Sequence, residues 1–319
     1  MKSAGRFFIY TSRLVALLCI INFFPMPIQP ARALREAPLG ESAKPKEGKP
    51  KEAIPKEKRK PIKVLFIGNS YTYTNNLPLI LKELAESAQA GNRLKVKGVV
   101  KPGATLKMHW EDGEAVRLLQ ARRWDYVVLQ EQSLLPLNDA EMMNTYVRLF
   151  VADIKKVGAQ PLLFITWARQ NQPETQRALT DAYTRIAREV NASVAPVGVA
   201  WQNAAKANPK ISLYVSDQSH PNALGSYVAA CVFYSTIFGK SPMGLTRQIV
   251  DSSTGGAKEL FSINEADAKF LQQIAWKTVR GTRNVQPAGA KRGKQAASGR
   301  AKLISPFAIP SFTLAPAFG

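Results

Sequence analysis

The sequence predicts an α/β fold: a three-layer α/β/α sandwich around a five-stranded parallel sheet with a flavodoxin-like strand order. Three observations lead there. Strand-like and helix-like stretches alternate between residues 62 and 250. Several of the strand-like stretches are unbroken apolar runs, as expected of strands covered on both faces. Each connection is also long enough to hold a helical crossover, which parallel neighbours require.

In chain order, the strands are read at 64–67, 94–100, 126–129, 161–166 and 193–199, and the helices at 77–90, 113–121, 140–157, 174–190 and 222–238. Val64-Leu65-Phe66-Ile67 is a buried-strand run that stops at the small polar cluster Gly68-Asn69-Ser70. Residues 161–166 (PLLFIT) have the same apolar character. A further helix at 262–280 opens on Ser262-Ile263-Asn264-Glu265, a capping-box pattern, and ends at Gly281. Its Phe270, Leu271, Ile274 and Val279 pack it back on the domain. Right-handed crossovers prune the topology, and the expected strand order is 2-1-3-4-5. Such sheets bind ligands at the carboxyl ends of their strands. One rim therefore gathers Gly68-Asn69-Ser70, Gly103, Gln130-Glu131-Gln132 and Trp167-Ala168-Arg169-Gln170.

The 319 residues are 45% hydrophobic, enough for one sizeable core without requiring a second, and the domain is placed at 62–280. The formal net charge is +21, most of it at the two ends. Lys2, Arg6 and Arg13 precede the apolar run 14–24 (LVALLCIINFF), and a small-x-small site follows at Ala31-Arg32-Ala33. This is the pattern of an export signal, residues 1–33, with a run short for a membrane span; an uncleaved anchor is the rival reading. Cys19 follows Leu18, whereas lipoprotein signals place a small residue before the cysteine, so no lipid anchor is expected. Removal of the signal leaves Cys231 as a lone thiol, and stability then rests on the core rather than on an intrachain disulfide. Residues 34–61 are Lys, Glu and Pro with almost nothing to bury, a solvated tether. Residues 281–319 are read as a flexible tail, basic over 281–302, which either holds the protein near cell-envelope polyanions or only solubilises it. No nucleic-acid module is recognisable, and no membrane span is expected once the signal is removed.

A serine hydroxyl is a weak nucleophile near neutral pH unless a base takes its proton, and the usual base is an imidazole held in one tautomer by a carboxylate. The chain has 2 histidines. His109 falls in LKMHWEDG, read as a loop, and is expected to be a loop or substrate-wall residue. His220 falls in VSDQSHPN, between the fifth strand and the helix at 222–238, with Asp217 in the same short loop. That loop can present acid and base together. A D-x-x-H spacing alone is weak, and G-N-S alone is ordinary turn chemistry. Their joint placement, at the end of the first strand and in the last loop, makes Ser70, Asp217 and His220 the catalytic candidates.

Over residues 62–240 the chain resembles the SGNH (GDSL-type) hydrolase superfamily, in a divergent exported branch. FIGNSYT is similar to that family's first block, which carries a nucleophilic serine after strand one, and DQSHPN is similar to its last block, which supplies Asp and His. The resemblance implies an SGNH hydrolase-like fold and a serine esterase that needs neither metal nor organic cofactor. It also implies an oxyanion hole formed by the Ser70 N–H, the N–H of a glycine after strand two, matched by Gly103 in VVKPGATL, and an asparagine in a G-x-N-D block after strand three. The chain departs from that last block: VVLQEQSLLP places Gln132 in the donor position, with Gln130 as its rival. Glutamine carries the same amide donors on a longer stem.

Among the other rim residues, Trp167, Arg169 and Gln130 are expected to bind substrate, with core packing as the alternative for Trp167. Tyr71, Tyr73 and Asn75 either wall the pocket or hold the turn; Glu131 is read as an exposed loop acid, with a second acid or a substrate-binding carboxylate as the alternative, and Cys231 as a core residue. The expected function is hydrolysis of ester bonds by an exported (periplasmic or extracellular) serine esterase. The expected substrates are O-acetyl or other short O-acyl groups on carbohydrate, in small molecules or polysaccharides. The alternatives are a glycan-binding protein on the same scaffold, motivated by the missing asparagine, and an O-acyltransferase using the same triad.

Overall fold

The computed structural model describes residues 60–88, 93–252 and 256–283. The expected signal at 1–33, nearly all of the tether at 34–61 and the tail beyond residue 283 lie outside the described residues.

Five strands form one parallel sheet: β1 (Ile62–Gly68), β2 (Leu94–Val100), β3 (Tyr126–Leu129), β4 (Gln160–Phe164) and β5 (Ser193–Ala195). Their spatial order is β2-β1-β3-β4-β5, the order expected from sequence. The register aligns the carboxyl ends. Gly68 stands opposite Val100, Ile67 opposite Leu129, Leu129 opposite Leu163 and Phe164 opposite Ala195. The loops that leave these ends therefore meet on one side of the sheet.

The helices in chain order are α1 (Ser70–Tyr73), α2 (Leu77–Ser87), α3 (Leu106–Asp112), α4 (Glu114–Ala121), α5 (Leu135–Asn138), α6 (Ala140–Lys156), α7 (Gln176–Glu189), α8 (Val197–Ala207), α9 (Ala223–Phe238) and α10 (Glu265–Arg283). Successive strand side chains point to opposite faces, which explains why the strands are apolar without interruption. Val64, Phe66, Val128, Leu162 and Phe164 pack into one layer with residues of α2, α8, α9 and α10. Leu65, Ile67, Val127, Leu129 and Leu163 pack into the other with residues of α4, α6 and α7. Each such side chain contributes about 1.5–3 kcal/mol on full burial, so neither face tolerates a polar residue cheaply. Helix α9 is buried almost all round and packs against α2 and α10. Its Cys231 is fully buried, and burial pushes the thiol pKa up.

Four sequence expectations shift. The fifth strand, read to residue 199, ends at Ala195; Pro196 follows, and the apolar run beyond it coils into α8. The loop around His109 is the helix α3, opened by Thr105, whose side-chain oxygen accepts from Met108 N at 3.1 Å, and closed by Gly113. The last helix starts at Glu265 rather than Ser262. Asn264 caps it, with Oδ1 accepting from Asp267 N at 2.9 Å, while Ser262 ends a strand. That strand, β7 (Lys258–Ser262), pairs antiparallel with β6 (Gln248–Asp251) in a separate two-stranded sheet absent from the sequence reading. Among the described residues no helix is long and apolar enough to cross a membrane.

Candidate active site

Strand β1 delivers the chain to Asn69, whose extended backbone and side chain cap α1: Asn69 Oδ1 accepts from Tyr71 N at 3.2 Å. Ser70 is thus the first residue of a one-turn helix, a position whose backbone N–H has no intrahelical acceptor. Two side chains, Gln130 and His109, fix the turn from below. Gln130 Oε1 accepts from Asn69 N and from Thr72 Oγ1, both at 2.9 Å. Gln130 Nε2 donates to Asn69 Oδ1 at 2.8 Å and to the Glu131 carbonyl at 2.6 Å. His109 Nε2 donates to the Gly68 carbonyl at 2.7 Å. Gly68 has no room for a side chain, since a Cβ there would lie 2.5 Å from Gln130 Oε1.

The second half of the site is the loop before α9. It closes as a tight turn, with Val215 N donating to His220 O at 3.0 Å and Gln218 N to Val215 O at 3.1 Å. Inside it, Asp217 Oδ1 accepts from Ser219 N at 2.9 Å and His220 N at 2.8 Å, and Asp217 Oδ2 meets His220 Nδ1 at 2.5 Å. The His220 side-chain bond, followed by these two backbone bonds, holds the Asp217 carboxyl down at about 2. A carboxylate on Nδ1 makes that nitrogen the donor and leaves Nε2 as an acceptor. Nε2 lies 2.8 Å from Ser70 Oγ. The three residues singled out from sequence are therefore in one hydrogen-bonded chain, with the His220 and Asp217 side chains partly open to solvent.

An aromatic stack supports the His220 loop. Tyr71 stacks on Trp167 with centroids 4.3 Å apart, and Trp167 on Trp201 at 4.0 Å. Tyr71 also presents its ring to the edge of His220, and its hydroxyl meets Ser219 Oγ at 2.7 Å. Trp167 Nε1 donates to the Ser219 carbonyl at 2.9 Å. Trp167 is only 1% exposed. The expectation that it binds substrate is corrected: it is a buried prop for the loop that carries Asp217 and His220. Asn75 has a similar holding role, with Nδ2 donating to Pro221 O and Ser226 Oγ, both at 3.0 Å. Tyr73 is exposed.

Gln130 is corrected in the same way. It is 0% exposed, and both its amide hydrogens are engaged, so it has nothing to offer a substrate or an oxyanion. Gln132 differs. Its Oε1 accepts from Leu134 N at 2.8 Å and Leu135 N at 3.0 Å, while Nε2 makes only a 3.4 Å contact to Ser133 Oγ, so the amide is held by its oxygen with donor capacity to spare. Gly103 lies in an exposed loop at φ +63, a backbone state that favours glycine. Two bonds tether this loop to the turn that carries Ser70: Lys101 N to Gly68 O at 3.2 Å and Asn69 Nδ2 to Ala104 O at 3.0 Å. Arg169 is half-buried, with a side-chain Nε that has no acceptor among the described residues, and its charge is felt at the Tyr71 hydroxyl.

Two residues differ from expectation in burial. Glu131 is not an exposed loop acid but fully buried, with its carboxylate accepting from Leu106 N and Gln132 N. His109 is buried rather than a wall of the pocket, and burial holds its pKa below the ordinary imidazole value. Ser219, Ser133 and Thr72 were not anticipated. Only the neighbourhood of Ser219 in DQSH and of Ser133 in QEQS marked them in sequence.

No protein-family model and no curated protein matches the chain. Solved structures do. A protein proposed to be an SGNH hydrolase, from Slackia heliotrinireducens, is 25% identical with a TM-score of 0.50, over 56% of this chain and 100% of its own. A DUF4886 family protein from Bacteroides uniformis is 21% identical with a TM-score of 0.57, over 69% of this chain and 95% of its own.

Proposed function

We propose that this chain is an exported serine esterase of the SGNH (GDSL-type) hydrolase superfamily that removes O-acetyl or other short O-acyl groups from carbohydrate. One observation carries the reading: His220 bridges Ser70 Oγ at 2.8 Å and Asp217 Oδ2 at 2.5 Å, joining the first strand's end to the last loop.

In the reaction, Ser70 Oγ attacks the ester carbonyl carbon as its proton passes to His220 Nε2. Asp217 keeps the proton on Nδ1 and stabilises the imidazolium, without itself taking a proton. The oxyanion receives the N–H groups of Ser70 and Gly103 and the Gln132 amide. The tetrahedral intermediate then expels the alcohol, whose oxygen takes the proton from His220 Nε2. Water, deprotonated by His220, attacks the acyl-Ser70 ester, and collapse of the second intermediate returns Ser70 and releases the acid. Each oxyanion donor contributes about 10²-fold to 10³-fold in turnover.

Support for a small, polar substrate comes from the polar groups beside His220: Ser219, whose Oγ meets the Tyr71 hydroxyl at 2.7 Å, and Arg169, whose charge is felt at that hydroxyl, with the large aromatics Tyr71 and Trp167 buried. Arg169 is the remaining candidate for substrate binding. The N-terminal pattern supports export, and the basic residues of 281–302 support electrostatic association with envelope polyanions. The test is acetate release from an O-acetylated oligosaccharide alongside p-nitrophenyl acetate hydrolysis. The reading requires both in the wild type and neither above background in Ser70→Ala. Equal rates in the two proteins, with retained glycan binding, refute it.

A further inference from the structure

Glu131 is a buried acid that the proposed reaction does not use. It stands between Gln130, which pins the nucleophile turn, and Gln132, which carries an oxyanion donor. Its Oε1 accepts from Gln132 N at 2.6 Å and from Leu106 N at 3.1 Å, and Oε2 lies 3.4 Å from Leu106 N. Leu106 opens α3 immediately after the loop that carries Gly103. A buried carboxylate is costly without compensation, and among the described residues no cation pairs with this one. Two backbone N–H groups are its compensation, and an ionised acceptor binds them more strongly than a neutral one does.

We propose that Glu131 is a positioning residue: its carboxylate couples the Gly103 loop to the Gln132 backbone and so sets the spacing of the oxyanion donors. This rests on the esterase reading above. The coupling responds to pH, because burial, opposed only by the two backbone bonds, pushes the carboxyl up to about 7. The titratable groups around it do not mask that response. Tyr183 of α7 faces it, with its hydroxyl pKa raised by burial, and stays neutral. His109 of α3 is turned to the Gly68 carbonyl. Above the midpoint both N–H groups bind a full charge; below it the protonated acid is a weaker acceptor and the two loops loosen.

The experiment measures kcat and KM for p-nitrophenyl acetate across the neutral range for the wild type, Glu131→Gln and Ser70→Ala. Glutamine imitates the neutral acid. The ratio of wild-type to Glu131→Gln kcat therefore rises from near unity in acid to about tenfold in base, with KM little changed, since donor misplacement is felt mainly in the transition state. Taking the ratio cancels any pH effect that the two proteins share. A ratio that is flat with pH, or an effect confined to KM, overturns the proposal while leaving the esterase reading intact. Absence of Ser70-dependent hydrolysis in the wild type overturns both. If Glu131→Gln does not fold, the amide resonances of Leu106 and Gln132 in the wild type serve instead. They move together with one midpoint near that of Glu131 if the coupling exists, and independently or not at all if it does not.

Discussion

Replacing Gln130 by leucine tests the support of the nucleophile turn, because leucine is close in volume and removes hydrogen bonding without opening a large cavity. Four bonds disappear: those from Asn69 N and Thr72 Oγ1, and those to Asn69 Oδ1 and the Glu131 carbonyl. Asn69 Oδ1 keeps its bond from Tyr71 N, whereas the buried Asn69 N–H is left with no acceptor. A buried donor left unpaired costs about 1–3 kcal/mol, and each ordinary bond lost about 0.5–1.5 kcal/mol. The sum is about 4 kcal/mol, a large share of a typical domain's stability of about 5–15 kcal/mol. In a domain of this size that lowers Tm by about 10 °C. Urea denaturation followed by far-ultraviolet circular dichroism measures the loss, with an unchanged m-value confirming that stability alone has moved. Activity against p-nitrophenyl acetate, taken where the variant is folded, falls as well, since Asn69 and Thr72 flank Ser70. A loss below about 1 kcal/mol with unaltered kcat refutes the assignment of Gln130 as the brace of this turn.

The remaining predictions concern the acid, the aromatic prop and pH. Asp217→Asn retains an oxygen for the Ser219 and His220 N–H groups but favours the wrong imidazole tautomer, so kcat drops by about 10³-fold to 10⁴-fold with the fold intact, read from steady-state kinetics and circular dichroism. Trp167→Phe keeps the stack on Tyr71 and Trp201 but loses the bond to the Ser219 carbonyl. It costs about 1 kcal/mol of stability and lowers kcat more than it raises KM. Glu131 has its folded-state carboxyl raised from 4.5 to about 7, so the folded protein holds the extra proton between those values. Its contribution to stability therefore falls by about 3 kcal/mol as pH rises through that window, and Glu131→Gln removes that part of the slope in urea denaturation series. Asp217 has the opposite sign. Its folded pKa is depressed to about 2, so its contribution is present above the ordinary carboxylate range and is lost as pH falls toward that value, a dependence that Asp217→Asn abolishes.

The sheet was legible in sequence because its strands bury both faces, which leaves unbroken apolar runs such as 64–67 and 161–166. The antiparallel β6–β7 pair was not, because Lys258, Glu259 and Leu260 are exposed and carry no alternation to read. Helix α8 was hidden by residues whose apolar run looks the same in a strand, with only Pro196 to mark the change of course. In the site, Ser70, Asp217 and His220 were accessible because so few histidines compete for the role. Gln130 and Gln132 were harder. Identical side chains two apart at a strand end differ only in where the strand stops, and that register sends Gln130 inward and leaves Gln132 at the rim. Trp167 posed the same problem, since an aromatic at a strand end has one composition whether it faces sugar or core. Glu131 was misjudged because an acid is on the surface by default, and its two backbone donors come from a loop and a helix start that sequence does not bring together.

The most direct measurement is the site and rate of covalent modification by a fluorophosphonate, located by peptide mass spectrometry. If His220 activates the Ser70 hydroxyl, the label falls on Ser70 in the wild type and is lost in His220→Ala. Labelling elsewhere, or at Ser70 with an undiminished rate in His220→Ala, would contradict the account.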